Sequence, residues 1–238
     1  MQVRHYRNVM APKDLYTFEV RVKETDLWIA ASDNFYNEVF EIVLDLRKQL
    51  EDYICENPHF LTSLTPLPID ECAPPLIRLM METAQRAQVG PMASVAGALN
   101  EMVGKRLSEL SEEFIIENGG DIFIKTLKKR RVAVFAGSSP LSMRLAIEIP
   151  PGETVGVCTS SGTVGHSISF GKADAVCVIS SSCALADAVA TALGNKVRED
   201  RDIKAAISYG KNIEGIKGIL IIMNDKIGIW GNYKLEVL

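Results

Sequence analysis

The stretch SSCALADAVATALG, residues 181–194, carries one carboxylate among Ala, Leu, Val and Cys side chains. Asp187 is this carboxylate, and Thr191 follows it four residues later, so one face of a helix would carry both. Their oxygens suit Mg²⁺, which takes few protein ligands and completes its octahedron with water and substrate phosphate. The alternative is that Asp187 faces solvent, although no other charged residue between Cys183 and Gly194 provides a polar helix face. We keep Asp187 and Thr191 as candidate metal ligands.

A second group of hydroxyls and glycines lies in CTSSGTVGHSISFGKAD, residues 158–174. Ser160, Ser161 and Gly162 begin this loop directly after a predicted strand, where hydroxyls and backbone N–H groups can bind phosphate. The loop matches neither the Walker pattern nor Gly-x-Gly-x-x-Gly. His166 is one of three histidines in the chain and is a candidate general base. The alternative is a histidine on the surface without a catalytic role.

A third candidate is ENGGDIF, residues 117–123. Asn118, Gly119 and Gly120 predict a hairpin turn, because adjacent glycines permit positive φ. Glycines also let a ligand approach the backbone closely, and Asp121 could accept its hydrogen bonds. The turn and the ligand contact are compatible, so Asp121 is a candidate catalytic and cofactor-binding residue.

Composition narrows the class of protein. The 238 residues include 26 Lys and Arg against 30 Asp and Glu, a net charge of −4, which argues against a nucleic-acid partner. No segment reaches the roughly 18 apolar residues that span a bilayer. We also see no secretory signal, so we expect a cytoplasmic protein without a membrane partner.

The five cysteines form an odd set without metal-type spacing. Each lies among apolar residues, as small core residues do. A redox or sulfur-carrier role for Cys158 or Cys183 is the alternative. Cys183 lies near a predicted helix N-terminus, where the helix dipole lowers a thiol pKa.

The order of predicted elements indicates an α+β protein. We predict a hairpin over residues 15–31, a helix from about 34 to 57, and helices over about 74–88 and 91–109. Strands follow, then the helix after residue 180, a short helix over 201–210 and a closing hairpin around Asn224. The pattern predicts a single domain, 1–238, with two related halves of about 1–136 and 137–238. In each half, helices would cover one face of antiparallel strands, and the uncovered face could form a homodimer.

These motifs resemble, in order, those of the ApbE-like family, whose characterised members are Mg²⁺-dependent FAD:protein FMN transferases. Residues 118–122 resemble the family's Asn-Ala-Gly-Gly-Asp-Ile stretch, and residues 146–150 its Gly-Ile-Glu-Asp-Pro strand. Residues 160–162 are similar to its Thr-Ser-Gly, and residues 186–193 to its Ala-Asp-Ala-Leu-x-Thr-Ala-Leu helix. The matches cover roughly residues 90–195.

The resemblance implies a T-fold-like duplication, with Mg²⁺ on Asp187 and Thr191 and FAD against the Gly-Gly-Asp turn. The candidate cofactor-binding residues are Gly90, Asn118, Gly119, Gly120, Asp121, Ser160, Ser161 and Gly162. The implied activity is FMN transfer or FAD cleavage, acting on FAD or a similar nucleotide pyrophosphate.

Departures from the family point to a second function. The family's His-x-Ile-Asp-Pro-x-Thr-Gly segment is absent, and residues 166–169 are the nearest match. Its Lys-Gly is replaced by Gly90-Pro91-Met92. The chain therefore resembles a cytosolic side branch, whose members have been associated with sulfide assimilation into homocysteine in anaerobes. This resemblance implies the alternative of a non-catalytic ligand-binding or accessory protein that serves a partner enzyme.

Overall fold

The computed structural model describes residues 12–162 and 171–238. The described elements, in chain order, are β1 (Tyr16–Val22), β2 (Thr25–Ala31), α1 (Tyr36–Glu56), α2 (His59–Thr62), α3 (Pro75–Ala87), a 3₁₀ turn (Pro91–Ser94), α4 (Val95–Leu107), β3 (Phe114–Asn118), β4 (Asp121–Lys125), β5 (Arg130–Ala133), β6 (Leu145–Ile149), β7 (Thr154–Ser160), β8 (Ala175–Ser180), α5 (Cys183–Lys196), α6 (Asp202–Gly210), β9 (Ile216–Met223), β10 (Lys226–Gly231) and β11 (Leu235–Val237).

The main sheet of the described residues has eight strands in the order β1-β2-β3-β4-β7-β8-β9-β10. Every neighbouring pair is antiparallel. Each group of four strands consists of a hairpin, a set of helices and a second hairpin. The structure confirms the predicted α+β class with antiparallel strands.

The helices cover one face of the main sheet. Their apolar side chains form a single core with that face, and α5 is buried along most of its length. Gly97 of α4 packs against the Cys183 carbonyl and the Asp187 side chain, and a Cβ at this position would lie 2.7 Å from the Asp187 Cβ. The small side chains of the two helices therefore allow α4 and α5 to approach closely.

The other face of the sheet is covered by a second, three-stranded sheet in the order β11-β6-β5. Its apolar side chains pack on those of β4, β7, β8 and β9. We predicted strands at β5 and β6 but did not predict β11 or a separate sheet. Every residue of β8 is buried, as expected for a strand that is covered on both faces.

Local signals set the boundaries of several elements. The Asn34 side chain accepts a hydrogen bond from the Tyr36 N–H at 3.1 Å, so α1 begins two residues after the predicted cap. The predicted helix over 91–109 begins after Gly90 as the 3₁₀ turn and continues from Val95 as α4. The boundary predicted between the halves, at residues 136–137, lies in the connection between β5 and β6.

Candidate functional site

Helices α4 and α5 run antiparallel, and each has a carboxylate that binds the first turn of the other. In one direction, Glu101 of α4 accepts hydrogen bonds at Oε2 from the Ser182 hydroxyl (2.7 Å) and the Ala184 N–H (3.2 Å). In the other, Asp187 of α5 accepts the Gly97 N–H at Oδ2 (2.9 Å). The first N–H groups of a helix have no partner within the helix, and its dipole favours an anion there. Each carboxylate therefore supplies a hydrogen-bond acceptor to the first turn of the other helix.

Asp187 also carries a charge that no described side chain compensates. Its side chain is half-buried, and burial raises the pKa of its carboxyl well above the usual range, with a further increase from the charge of Asp121. The N–H groups of Gly97 and Ala96 act in the opposite direction. Among the described residues, no basic side chain contributes to this shift. Asp187 is thus an acidic group available to a proton or a cation.

Thr191 lies one turn further along α5 and is half-buried. Within the described part of the chain, its hydroxyl makes no hydrogen bond, although a threonine in a helix can bond to the carbonyl one turn earlier. The structure therefore places a carboxylate and an unengaged hydroxyl four residues apart on one helix, as the sequence predicted.

Asp121 begins β4 and is buried beside the end of β7. Its Oδ1 accepts the Thr159 N–H at 3.2 Å. Burial raises the pKa of Asp121 to about 7, and the charge of Glu117 adds to this, while contacts with Thr159 and Cys158 oppose it. A carboxyl group with a pKa near neutral can both accept and donate a proton at physiological pH.

Asn100 connects α4 to the backbone of Asp121 and is fully buried. Its Nδ2 donates a hydrogen bond to the backbone carbonyl of Asp121 at 2.9 Å. Its Oδ1 is buried and has no partner among the described residues. Such an oxygen is expected to have a partner in a folded protein, and a water, an ion or a ligand can supply it.

The turn between β3 and β4 adopts the predicted hairpin. Gly119 and Gly120 have φ values of 67° and 107°, as two glycines in a type I′ turn do. The Gly120 N–H donates to Oε1 of Glu117 at 2.8 Å. The space around Gly120 where a side chain would lie is open. The hairpin prediction is confirmed, and the turn leaves room for a ligand.

The predicted phosphate loop is described only at its two ends. Ser160 ends β7, next to the Thr159 N–H that binds Asp121, and Ser161 follows it. The N–H of Gly162 donates to the Ala173 carbonyl at 2.9 Å. Gly162 also packs against the Gly171 backbone, where a side chain would clash. His166 lies outside the described residues.

Gly90 is needed for packing. It is buried against the backbone of Ser63 and Leu64, where a Cβ would overlap the Ser63 carbonyl. This contact alone explains a glycine at this position. Its binding of a cofactor remains a prediction.

Sequence reasoning missed two carboxylate and amide groups of α4. The sequence does not single out Glu101 or Asn100, and the only local signal for Glu101 is its spacing from Gly97 on one helix face. In residues 12–162 and 171–238, no group of three or more His, Cys, Asp or Glu side chains has the arrangement of a metal site. A cation here would take its remaining ligands from hydroxyls, backbone, water or substrate.

Other features of the described residues lie away from this site. A surface cavity of about 400 Å³ lies between the end of β1 and α1 and is lined mainly by charged side chains of α1. In the described part of the chain, no helix has both the length and the apolar character to cross a membrane.

The described architecture is the fold of solved ApbE structures. An ApbE protein from Thermotoga maritima superposes with a TM-score of 0.60 at 13% identity, covering 92% of this chain and 97% of that one. The flavinyl transferase ApbE from Pseudomonas stutzeri superposes with a TM-score of 0.56 at 13% identity, covering 91% and 94%. At this identity, the similarity defines the fold.

Sequence comparison identifies the family. The family model described as AbpE bacteria matches residues 7–229, and the chain belongs to this ApbE-like family. The UPF0280 protein of Methanocaldococcus jannaschii is 42% identical over 217 residues, covering 88% of each chain. The resemblance noted in the sequence motifs is thus confirmed.

Proposed function

We propose that the protein binds a flavin nucleotide such as FAD through a divalent cation held by Asp187 and Thr191. One observation carries this proposal. Burial and, to a smaller extent, the charge of Asp121 raise the pKa of the Asp187 carboxyl, and no basic side chain of the described residues offsets this increase. The fold that positions Asp187 and Thr191 is that of proteins named as flavin transferases. A nucleotide pyrophosphate with Mg²⁺ is the ligand that this combination fits best.

The described residues fit a magnesium ion. Mg²⁺ prefers oxygen ligands and keeps several waters, so one carboxylate and one hydroxyl are a sufficient protein contribution. Asp187 keeps acceptor capacity beside the Gly97 and Ala96 N–H groups, because an ionised carboxylate has about four lone-pair sites. Thr191 contributes the unengaged hydroxyl. The ion would stabilise negative charge on the phosphate oxygens.

The chain's own groups would divide the remaining work. Asp121, with a pKa of about 7, would accept or donate a proton at its carboxyl group. The open turn at Gly119 and Gly120 would admit the flavin nucleotide, and Ser160 and Ser161 would bind its phosphates. His166 is retained as a candidate general base. The expected chemistry is FMN transfer to a protein hydroxyl or cleavage of FAD at its pyrophosphate.

A second function is binding without turnover. The missing Asp-Pro-x-Thr-Gly segment favours it, because the residues nearest to it, 166–169, lack both the Asp-Pro and the Thr-Gly. In this case the same pocket would present a flavin or another nucleotide to a partner enzyme, in sulfur assimilation or elsewhere. Binding would then be insensitive to His166→Ala.

Calorimetric titration of FAD into the purified protein tests the proposal. Binding is expected with Mg²⁺ and is expected to be lost with EDTA. Incubation with FAD, Mg²⁺ and candidate acceptor proteins, followed by mass spectrometry and nucleotide chromatography, then distinguishes the two functions. Release of AMP or flavinylation of a protein supports the enzyme, and binding alone supports the second function. Absence of FAD binding under both conditions would overturn both.

We further propose that the two halves are duplicated T-fold-like units. The shared order of hairpin, helices and hairpin supports this proposal. Superposition of residues 16–125 on residues 154–231 tests it: an unrelated arrangement of the helices would contradict it. A homodimer and a cytoplasmic location also remain proposals, and sedimentation and cell fractionation test them.

A further inference from the structure

Two of the cysteines are in contact beneath the candidate site. Cys158 of β7 and Cys183, the first residue of α5, are both fully buried, and their Sγ atoms are 3.6 Å apart. The Cys158 thiol donates to the Cys183 backbone carbonyl at 3.4 Å, and the Cys183 thiol to the Ile122 carbonyl at 3.6 Å. The two sulfur atoms thus lie side by side where β7 of the sheet meets the N-terminus of α5.

The other cysteines provide a contrast within the same chain. Cys177 is also buried, but it lies in the core on the opposite face of the sheet. Cys55 and Cys72 are exposed. Among the described residues, only the Cys158 and Cys183 thiols are in contact with each other. A reaction that joins two thiols would therefore be specific to this pair.

We propose that Cys158 and Cys183 form an oxidative modification site, which closes to a disulfide with a peroxide as the oxidant. One thiolate attacks a peroxide oxygen, the O–O bond breaks, and water and a sulfenic acid result. The second thiolate attacks the sulfenic sulfur, the S–S bond forms and a second water leaves. The two thiols lose two electrons in total, and the peroxide gains them.

Closing the disulfide requires a small movement. The S–S bond is about 2.0 Å long, so the sulfur atoms must approach by roughly 1.5 Å from their present separation. Gly156 lies directly against the Cys183 backbone, so the first turn of α5 already packs on β7 without an intervening side chain. The disulfide would remove both thiol hydrogen bonds. Asp187 lies one turn beyond Cys183, so oxidation would shift the carboxylate against α4.

The reaction is expected to be slow in the folded protein. Burial raises the pKa of both thiols, which reduces the fraction of reactive thiolate. Both sulfurs also lack solvent contact, so the peroxide must enter through local opening of the structure.

The test uses the full chain with Cys55→Ser and Cys72→Ser, which removes the exposed thiols. The protein is treated with hydrogen peroxide, quenched, denatured and alkylated, and its mass and disulfide-linked peptides are determined. We expect a loss of about 2 Da in the mass measured before alkylation. We also expect a 158–183 linked peptide and one remaining alkylatable thiol, Cys177. The reduced sample should alkylate at all three positions.

Two single variants serve as controls. In Cys158→Ser and in Cys183→Ser, the linked peptide and the 2 Da loss should both disappear, since each variant has one thiol at the site. The proposal is overturned if both thiols of the parent protein remain alkylatable after peroxide treatment. It is also overturned if they gain oxygen without linking, or if either links to Cys177.

The effect on ligand binding rests on the proposed function, but disulfide formation does not. If FAD binds, the oxidised protein is expected to bind it more weakly, and dithiothreitol should restore binding. If FAD does not bind, the mass and peptide measurements still decide whether the disulfide forms. The two proposals therefore fail separately.

Discussion

At each end of the α4–α5 interface, a carboxylate of one helix binds the first turn of the other helix. The charges next to the carboxylate differ between the two ends. At what we call the Glu101 end, Oε2 of Glu101 binds the first turn of α5, and Lys105 pairs with Oε1 at 2.9 Å. At the Asp187 end, Oδ2 of Asp187 binds the first turn of α4, and Asp121 adds a second acidic group. One end pairs its carboxylate with a cation, while the other, among the described residues, leaves its carboxylate next to another acid.

This difference separates a structural role from a functional one. Either helix end needs only an acceptor for its first N–H groups, and a neutral oxygen would supply that. A stable interface would be expected to neutralise its charge, as Lys105 does for Glu101. The uncompensated charge at the Asp187 end has a destabilising effect that a bound cation would remove. The contrast therefore supports a cation at Asp187 and none at Glu101.

The largest expected effect is a pH dependence of folding that Asp121→Asn reduces. The folded pKa of Asp121, about 7, lies above its ordinary value of 3.8, so the native state holds a proton that the unfolded state has released. Stability is therefore lost as the pH rises from about 4 through 7, by up to about 4 kcal/mol in metal-free protein. Urea unfolding with EDTA between pH 4 and pH 8 measures it.

The comparison needed is between wild type and Asp121→Asn across that pH range. The amide keeps an oxygen for the Thr159 N–H but cannot titrate, so other groups cancel in the difference. The advantage of the variant should grow with pH. If stability depends on pH in the same way in both proteins, the pKa of Asp121 is ordinary in the folded state. The argument for a cation at the Asp187 end would then be weaker.

The next effect concerns ligand binding. Asp187→Asn keeps an oxygen for the Gly97 N–H but removes the charge. We expect Mg²⁺-dependent FAD binding to fall by at least about 100-fold, because partners of metal ligands alone contribute about 10- to 100-fold. The matched variant Glu101→Gln should bind FAD normally. Calorimetry measures both, and equal losses would mean that the charges act only through the helix pair.

In a stability measurement, we expect the opposite order, with Glu101→Gln as the more damaging of the two variants. Glu101→Gln loses the Lys105 pair and weakens the hydrogen bonds from Ser182 and Ala184, so we expect a loss of about 1–2 kcal/mol in metal-free protein. Asp187→Asn should be neutral or stabilising because its charge is unfavourable. Urea unfolding at pH 7 measures both. A large loss in Asp187→Asn would indicate that its charge serves the fold.

Local sequence signals were sufficient for most elements and for the ligand pair on α5. Alternating apolar residues, helix caps and glycine turns predict the β1–β2 and β3–β4 hairpins, α1 and α5. Each of these signals spans only a few residues. Asp187 and Thr191 are adjacent on one helix, so their proximity needs no knowledge of the fold. The same holds for Asp121 and the turn that precedes it.

Contacts between distant parts of the chain were not accessible in this way. Gly97 and Asp187 are 90 residues apart, and Glu101 and Ser182 are 81 apart. Strand β11 pairs with β6 across a similar distance, and three residues give little periodicity. The sequence therefore indicates Asp187 as a metal ligand, but it does not indicate that Asp187 also accepts a hydrogen bond from α4.

The smallest expected effect is that of the Thr191 hydroxyl. Thr191→Val keeps the shape of the side chain, and the hydroxyl makes no hydrogen bond within the described residues, so stability should change by less than about 0.5 kcal/mol. If the hydroxyl binds the cation, Mg²⁺-dependent FAD binding should weaken about fivefold, or ~1 kcal/mol. Thr191→Ser should retain binding because it keeps the oxygen. Calorimetry of both variants shows whether the hydroxyl binds the cation. Tight binding by Thr191→Val would mean that Asp187 is the protein ligand and that Thr191 only packs within the fold.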